Sequence, residues 1–178
     1  AVATFPSTPP VLVNALFAAA LGATKTDRLG AQDALANHPG KEARIITALS
    51  LEKPVGKSEL EAHFLVPLVE RLFKDYPDLD YVKDLRAHAL PPHIEVREFF
   101  MKTGDYLGNP VAQQNYISTN YTFVARDMAV QGMNVIAQAV AARGEGEDLR
   151  LSLSSNPDVT FEVIERYAAR GMPLLKVA

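Results

Sequence analysis

Cysteine is absent from this sequence of 178 residues. That excludes a disulfide, a thiolate nucleophile and a cysteine-based zinc site. It also fits a reducing compartment, and a cytoplasmic location is the expectation. A dominant charge sign is missing too: 18 Lys and Arg stand against 21 Asp and Glu, for a net charge of −3. No basic stripe runs along the chain, so no nucleic-acid partner is expected. Long apolar runs are scarce. Val11–Leu21 (VLVNALFAAAL) is the longest, and it falls short of the about 20 residues that span a bilayer. Small residues follow it, as in a signal-peptide core, but no basic segment precedes it, and Pro9 and Pro10 suit a helix start. A buried helix is the better reading, and no membrane partner is expected.

The familiar chemical motifs are missing as well. There is no G-x-G-x-x-G, no P-loop and no G-x-S-x-G elbow. His38, His63, His88 and His93 form no HExxH and no close pair on one helical face. His88 and His93 flank a Pro-Pro turn and could approach each other, yet no carboxylate is spaced to complete a metal site, and none is expected.

What is present reads as a globular domain. Apolar residues make up 48% and charged residues 22%, and the length suits one sizeable core. Ala43–Leu49 reads as a buried strand. Ser58 opens a helix with Glu61 completing a capping box, and Pro67 is expected to kink or restart it. Leu79–His88 reads as another helix. Ile94–Phe100 (IEVREFF) alternates apolar and charged residues, the pattern of a half-exposed strand. Tyr121–Gln131 is a helix stopped by Gly132. Asn134–Val140 is strand-like, Gly144–Asp148 a mobile charged loop, and Leu149–Leu153 a short strand. Asn156 and Pro157 start a helix that ends at Gly171, and Leu174–Val177 is a last strand. Short helices are also expected at Pro10–Leu21 and Ala31–Asn37. Strands alternating with helices give an α/β fold with a mostly parallel sheet flanked by helices.

The segment Gly108–Asp127 (GNPVAQQNYISTNYTFVARD) stands apart. It crowds neutral amides and hydroxyls together, where a solvated helix face would use Lys and Glu. Such groups either satisfy one another or hydrogen-bond a ligand. Asn109-Pro110 and Asn156-Pro157 are both helix starts, where free N–H groups suit an anion at the carboxyl edge of a sheet. The alternative is a plain cap, evenly balanced at Asn109 and favoured at Asn156, where the neighbouring Asp158 would repel an anion. Gln113, Gln114 and Asn115 either bind a polar ligand or staple loops. Tyr116 and Tyr121 either stack on a ring or pack into the core. Glu52 follows a strand and is either a catalytic carboxylate or a solvated surface group.

The same segment resembles the signature of the acetyl-CoA hydrolase/transferase family. Leu12–Phe17, Ile46–Pro54, Phe64–Phe73, Pro91–Phe100 and Leu151–Thr160 fit that family in the same order, so the similarity covers nearly the whole chain. The resemblance implies a CoA-transferase-like α/β domain, one of two similar halves, acting on short acyl-CoA thioesters and carboxylic acids. In related enzymes a Glu of the second half attacks the thioester and forms a glutamyl intermediate. This chain resembles the amino-terminal half, so no catalytic residue is assigned within it. Asn109, Gln113, Gln114, Asn115, Tyr116 and Asn120 are the implied substrate-binding residues. Coenzyme A enters as substrate, with no other cofactor, and the expected partners are the carboxy-terminal half and further copies in a homo-oligomer. The chain opens at Ala1 and closes on a strand just beginning, so a fragment of a longer polypeptide is expected. One departure is the stretch Thr4–Pro10, where the family carries a Gly-rich loop. The alternative is a non-catalytic ligand-binding or assembly module.

Overall fold

The computed structural model describes residues 2–3, 42–74, 76–138, 140–153 and 156–177. The expected helices Pro10–Leu21 and Ala31–Asn37, and the stretch Thr4–Pro10, lie outside those residues. In chain order the elements are β1 (Val2–Ala3), β2 (Ala43–Thr47), α1 (Glu59–Leu72), α2 (Asp80–Arg86), β3 (Ile94–Glu98), α3 (Pro110–Gln114), α4 (Tyr121–Val130), β4 (Val135–Ala137), β5 (Ala141–Arg143), a 3-10 turn (Gly146–Asp148), β6 (Arg150–Ser152), α5 (Thr160–Ala169) and β7 (Leu175–Val177).

Five strands pair in parallel in the order β3-β2-β1-β4-β7. The expected α/β class is therefore what forms. The best-defined pair is β2 with β3, where Ala43 lies beside Ile94 and Thr47 beside Glu98. Side chains alternate across a strand, so this register sorts them onto two faces. Ile45, Ile94 and Val96 face one way and pack with Tyr81, Val82 and Leu85 of α2 and Ala112 of α3. Ile46 and Phe99 face the other way, with Val124, Ala125 and Met128 of α4 and Val163 and Tyr167 of α5. Helices thus cover both faces, which is how a parallel sheet hides its apolar sides.

Three helices end alike. After α4, Gly132 takes φ 72°, Gly132 N–H donates to Ala129 O and Met133 N–H to Met128 O. After α5, Gly171 (φ 61°) repeats this with Ala168 and Tyr167. After α2 the same left-handed position is held by His88 (φ 54°), with Ala89 N–H on Asp84 O. These are Schellman caps, and glycine suits them because it has no Cβ to clash. The expected stops at Gly132 and Gly171 are therefore correct, and α2 ends two residues before the expected His88.

Several expectations are corrected. The chain over Leu149–Leu153 is strand, but β6 pairs with β5 in a separate antiparallel hairpin, not in the parallel sheet. No helix separates β5 from β6, and the 3-10 turn joins them directly. Helix α5 begins at Thr160, not at Pro157: Asn156 Oδ1 accepts from Asp158 N–H (3.0 Å), and Asp158 sits at φ 49°, outside helical space. Helix α1 runs through Pro67 as one segment. The box at Ser58 forms with one change: Ser58 Oγ accepts from Glu61 N–H (3.3 Å), while Glu61 Oε2 accepts from Lys57 N–H (2.7 Å), one residue earlier than the usual return bond. Among the described residues no helix is long and apolar enough to cross a membrane.

The caps generate a paired prediction. A Cβ at Gly132 would meet no atom within 4 Å, so only its φ resists substitution. Gly132→Ala is expected to cost about 1 kcal/mol, and His88→Gly to stabilise by a similar amount. Urea unfolding of both variants checks this; a neutral Gly132→Ala would refute the strain argument.

Candidate functional site

The strands β2 and β3 end side by side, and their carboxyl ends carry a polar cluster. Leu49 N–H donates to Phe100 O (2.8 Å) and takes φ 46°, a conformation rare for a branched residue. That turn brings Ser50 onto Glu98. Ser50 Oγ donates to Glu98 Oε1 (2.6 Å) and also bonds Tyr81 Oη (2.6 Å), from the first turn of α2. Glu98 is 1% exposed. It lies there because the period-two alternation puts it on the same face as Ile94 and Val96.

The electrostatics follow from that burial. Desolvation pushes the Glu98 carboxyl above its ordinary range, the Ser50 hydroxyl and N–H pull it partly back, and Glu52 adds to the rise. Desolvation also raises Tyr81, with the Ser50 bond opposing and the Glu98 charge reinforcing. Tyr106 is raised by burial and then by Glu98, and its buried hydroxyl has no partner among the described residues. Around this core stands a half-exposed rim. Arg86 donates to Glu52 Oε1 (2.6 Å), to Asp105 Oδ2 (2.6 Å) and to Asp105 O (2.6 Å), and its guanidinium lies 4.0 Å from the Tyr106 ring centroid. Glu52, weighed as a catalytic or surface group, is an ion-pair partner of Arg86. Chemically, the cluster can hold a proton on Glu98 and set the direction of the Ser50 hydroxyl.

The polar segment Gly108–Asp127 passes through α3, returns to this edge where Ile117 N–H donates to Glu98 O (2.8 Å), and there starts α4. Most of its amides serve the fold. Asn109 is buried; its Oδ1 accepts from Ala112 N–H (3.0 Å) and its Nδ2 donates to Leu85 O (2.8 Å), tying α3 to the end of α2. Gln113 Nε2 donates to Tyr106 O (2.8 Å) and Leu107 O (2.7 Å). Asn120 Oδ1 caps α4 through Thr122 N–H (3.0 Å). Tyr121 meets Phe99 edge-on, with ring centroids 5.9 Å apart. Gln114 and Tyr116 are exposed and make no side-chain hydrogen bond to a described residue. Asn115 lines a groove near the amino ends of β2 and β3 instead. Of the six implied substrate-binding residues, Asn115 alone lines that groove.

The strand order changes direction between β1 and β4, the place where open α/β sheets hold ligands. There Gln138, just past β4, donates to Asn156 O (2.9 Å) and accepts from Thr160 Oγ1 (2.9 Å). Asn156 serves this turn, the structural role weighed for it. Among the described residues no group of three His, Asp or Glu could hold a metal. No family model matches the chain, and comparison with curated proteins and with solved structures returns no match.

Sequence reasoning missed Glu98, Ser50, Tyr81 and Arg86. For Glu98 a signal existed: the phase of IEVRE places it with the apolar residues. Ser50 had none, because its position depends on the turn at Leu49.

The raised Glu98 gives a signed prediction. A carboxyl favoured in its neutral form by folding adds stability below its unfolded pKa, near 4.5, and loses it as pH rises toward the folded value. Glu98→Gln removes that dependence. The variant's stability relative to the parent should climb as pH rises above about 4.5, by about 1.4 kcal/mol per unit of pKa elevation. Parallel curves for the two proteins in urea unfolding from acid to neutral pH would exclude it.

Proposed function

We propose that the chain is the amino-terminal half of an acetyl-CoA hydrolase or CoA transferase. Its CoA-transferase-like α/β domain acts on short acyl-CoA thioesters and carboxylic acids. A glutamate of the carboxy-terminal half supplies the covalent intermediate, and donors at the cleft stabilise the tetrahedral oxyanion. The observation that carries this reading is the resemblance of GNPVAQQNYISTNYTFVARD, joined to its position past the carboxyl end of a parallel strand. Within the segment, Gln114 and Tyr116 are exposed, make no side-chain hydrogen bond to a described residue and would meet substrate, while Asn109, Gln113 and Asn120 hold the segment's shape. The proposed partners are the carboxy-terminal half and further copies of the protein.

A second reading, a non-catalytic assembly module, draws support from α1. None of its residues is buried, and Leu60, Phe64 and Leu72 are well exposed.

The test follows thiol release from acetyl-CoA. Gln114→Ala and Tyr116→Ala in the full polypeptide are expected to raise KM about fivefold to tenfold, the effect of one lost hydrogen bond or stacking contact, with unfolding midpoints unchanged. The 178-residue chain alone is expected to release no thiol. Wild-type kinetics in both variants would remove these residues from the cleft. A full polypeptide without turnover on any acyl-CoA, with or without acetate or succinate, would favour the assembly module.

A further inference from the structure

Helix α1 is the longest among the described residues, yet none of its side chains is buried. Its own flanking chain holds it in place. The Gly56 backbone lies so close that a Cβ there would stand 2.5 Å from Ala62 N. At the other end Phe73 meets Tyr76 edge-on, with ring centroids 5.7 Å apart, and Tyr76 Oη donates to Leu51 O (3.1 Å). Ala62, Leu65, Val69 and Phe73 are partly covered. The opposite side carries Leu60, Phe64, Pro67 and Arg71, spaced by four, three and four, which sets them in one stripe. Leu60 is 81% exposed and Phe64 67%. Large apolar side chains gathered on a helix face in water mark a contact surface. Charge is divided along the same helix. Glu59 and Glu61 stand in its first turn, Arg71 and Lys74 at its carboxyl end. Glu59, Arg71 and Lys74 make no ion pair with a described residue. Glu70, the one acid near the carboxyl end, lies seven positions from His63 and so on the same flank.

We propose that α1 pairs with α1 of a second copy, antiparallel across a two-fold axis that passes between Phe64 and Pro67. In that arrangement Phe64 of each copy lies on Pro67 of the other. Glu59 comes opposite Lys74, Glu61 opposite Arg71, and Glu70 beside His63, each contact made twice. Acids at one end of a helix and bases at the other repel in a parallel pair and match in an antiparallel one. A surface that complements itself under a two-fold axis is what an isologous interface requires, and an unrelated partner would not impose it. The helix dipoles also oppose each other in this pairing. Two such stripes, with the stems of their flanking charged side chains, bury roughly 1,000 Å², the low end for a specific interface, so the dimer is weak. The proposal gives a surface to the further copies named above, and it stands whether or not the protein acts on acyl-CoA.

The test is sedimentation velocity on the 178-residue chain from about 1 to about 500 µM, the range that brackets a weak dimer. The expected result is a reversible monomer–dimer equilibrium with Kd on the order of 10 to 100 µM. Phe64→Glu puts charge at the centre of the contact and should weaken pairing at least about 50-fold. Because Phe64 is exposed in the single chain, its urea midpoint at low protein concentration should not move. Lys74→Glu should weaken pairing about fivefold, since two symmetric attractions become repulsions. Adding Glu59→Lys to that variant exchanges the charges within each copy and should restore Kd to within about twofold of the parent. A monomer at every concentration would overturn the proposal and assign the stripe to another part of the full polypeptide. A dimer that survives Phe64→Glu would overturn it too, as would a double variant no tighter than Lys74→Glu alone.

Discussion

The parallel pairing of Ala43–Thr47 with Ile94–Glu98 is the constraint on which the other described features rest. A slip of one residue would exchange the two faces of β3. Ile94 and Val96 would leave the α2 side, and Arg97 would enter it. The present register is held by burial of Ile45, Ile46 and Val96 and by an ion ladder on the opposite face. Glu95 accepts from Arg44 (2.6 Å) and Arg97 (2.7 Å), while Arg44 also reaches Gln131 O (3.0 Å). Burial alone would raise Glu95, but the two arginines outweigh it and hold its carboxyl low. Glu98, at the end of the same strand, lacks such cations in contact and goes the other way. Two glutamates three residues apart, on opposite faces, thus titrate in opposite directions.

The polar segment gains its meaning from the same frame. Asn109 is satisfied by Ala112 and by Leu85, so it works as a joint between two helices on one face. Gln113 fixes the carbonyls of Tyr106 and Leu107, which keeps the Tyr106 ring against Arg86. An amide that supports its own loop is not free to meet a ligand. Any recognition chemistry in this segment then concentrates on the side chains that hold nothing up.

Much of the fold was legible because it is local. The alternation of IEVRE, the apolar run ARIIT, the glycines at the ends of α4 and α5, and the caps Ser58 and Asn109 each act within a few residues. What failed depended on distant partners or on rare backbone states. Asn156-Pro157 has the composition of a helix start, yet Asp158 adopts a left-handed turn and Gln138 claims the Asn156 carbonyl. Leu149–Leu153 holds the short strand that its composition suggests, yet its partner is its own hairpin neighbour and not the parallel sheet. The polar cluster was least visible, since Ser50, Tyr81 and Glu98 come from three separate elements and meet only after the sheet has formed. Composition singled out Gly108–Asp127 but could not separate amides that bond backbone from those that do not.

The left-handed caps have a consequence for how this domain tolerates changes in length. Helices α4 and α5 each end in a cap that turns the chain at once into the following strand: Gly132 leads to Val135 and Gly171 to Leu175. The α2 cap at His88 leads to Ile94 through a turn fixed by Pro91 O. The amino edge of the sheet is therefore geared, each helix setting the phase of the next strand. One inserted residue there would rotate a whole strand by half a turn and set charge into a core layer. At the opposite edge, the longer paths after Thr47 and Glu98 can absorb an added residue without moving a strand. An added residue is thus tolerated best at the carboxyl edge, beside Glu98 and the polar segment.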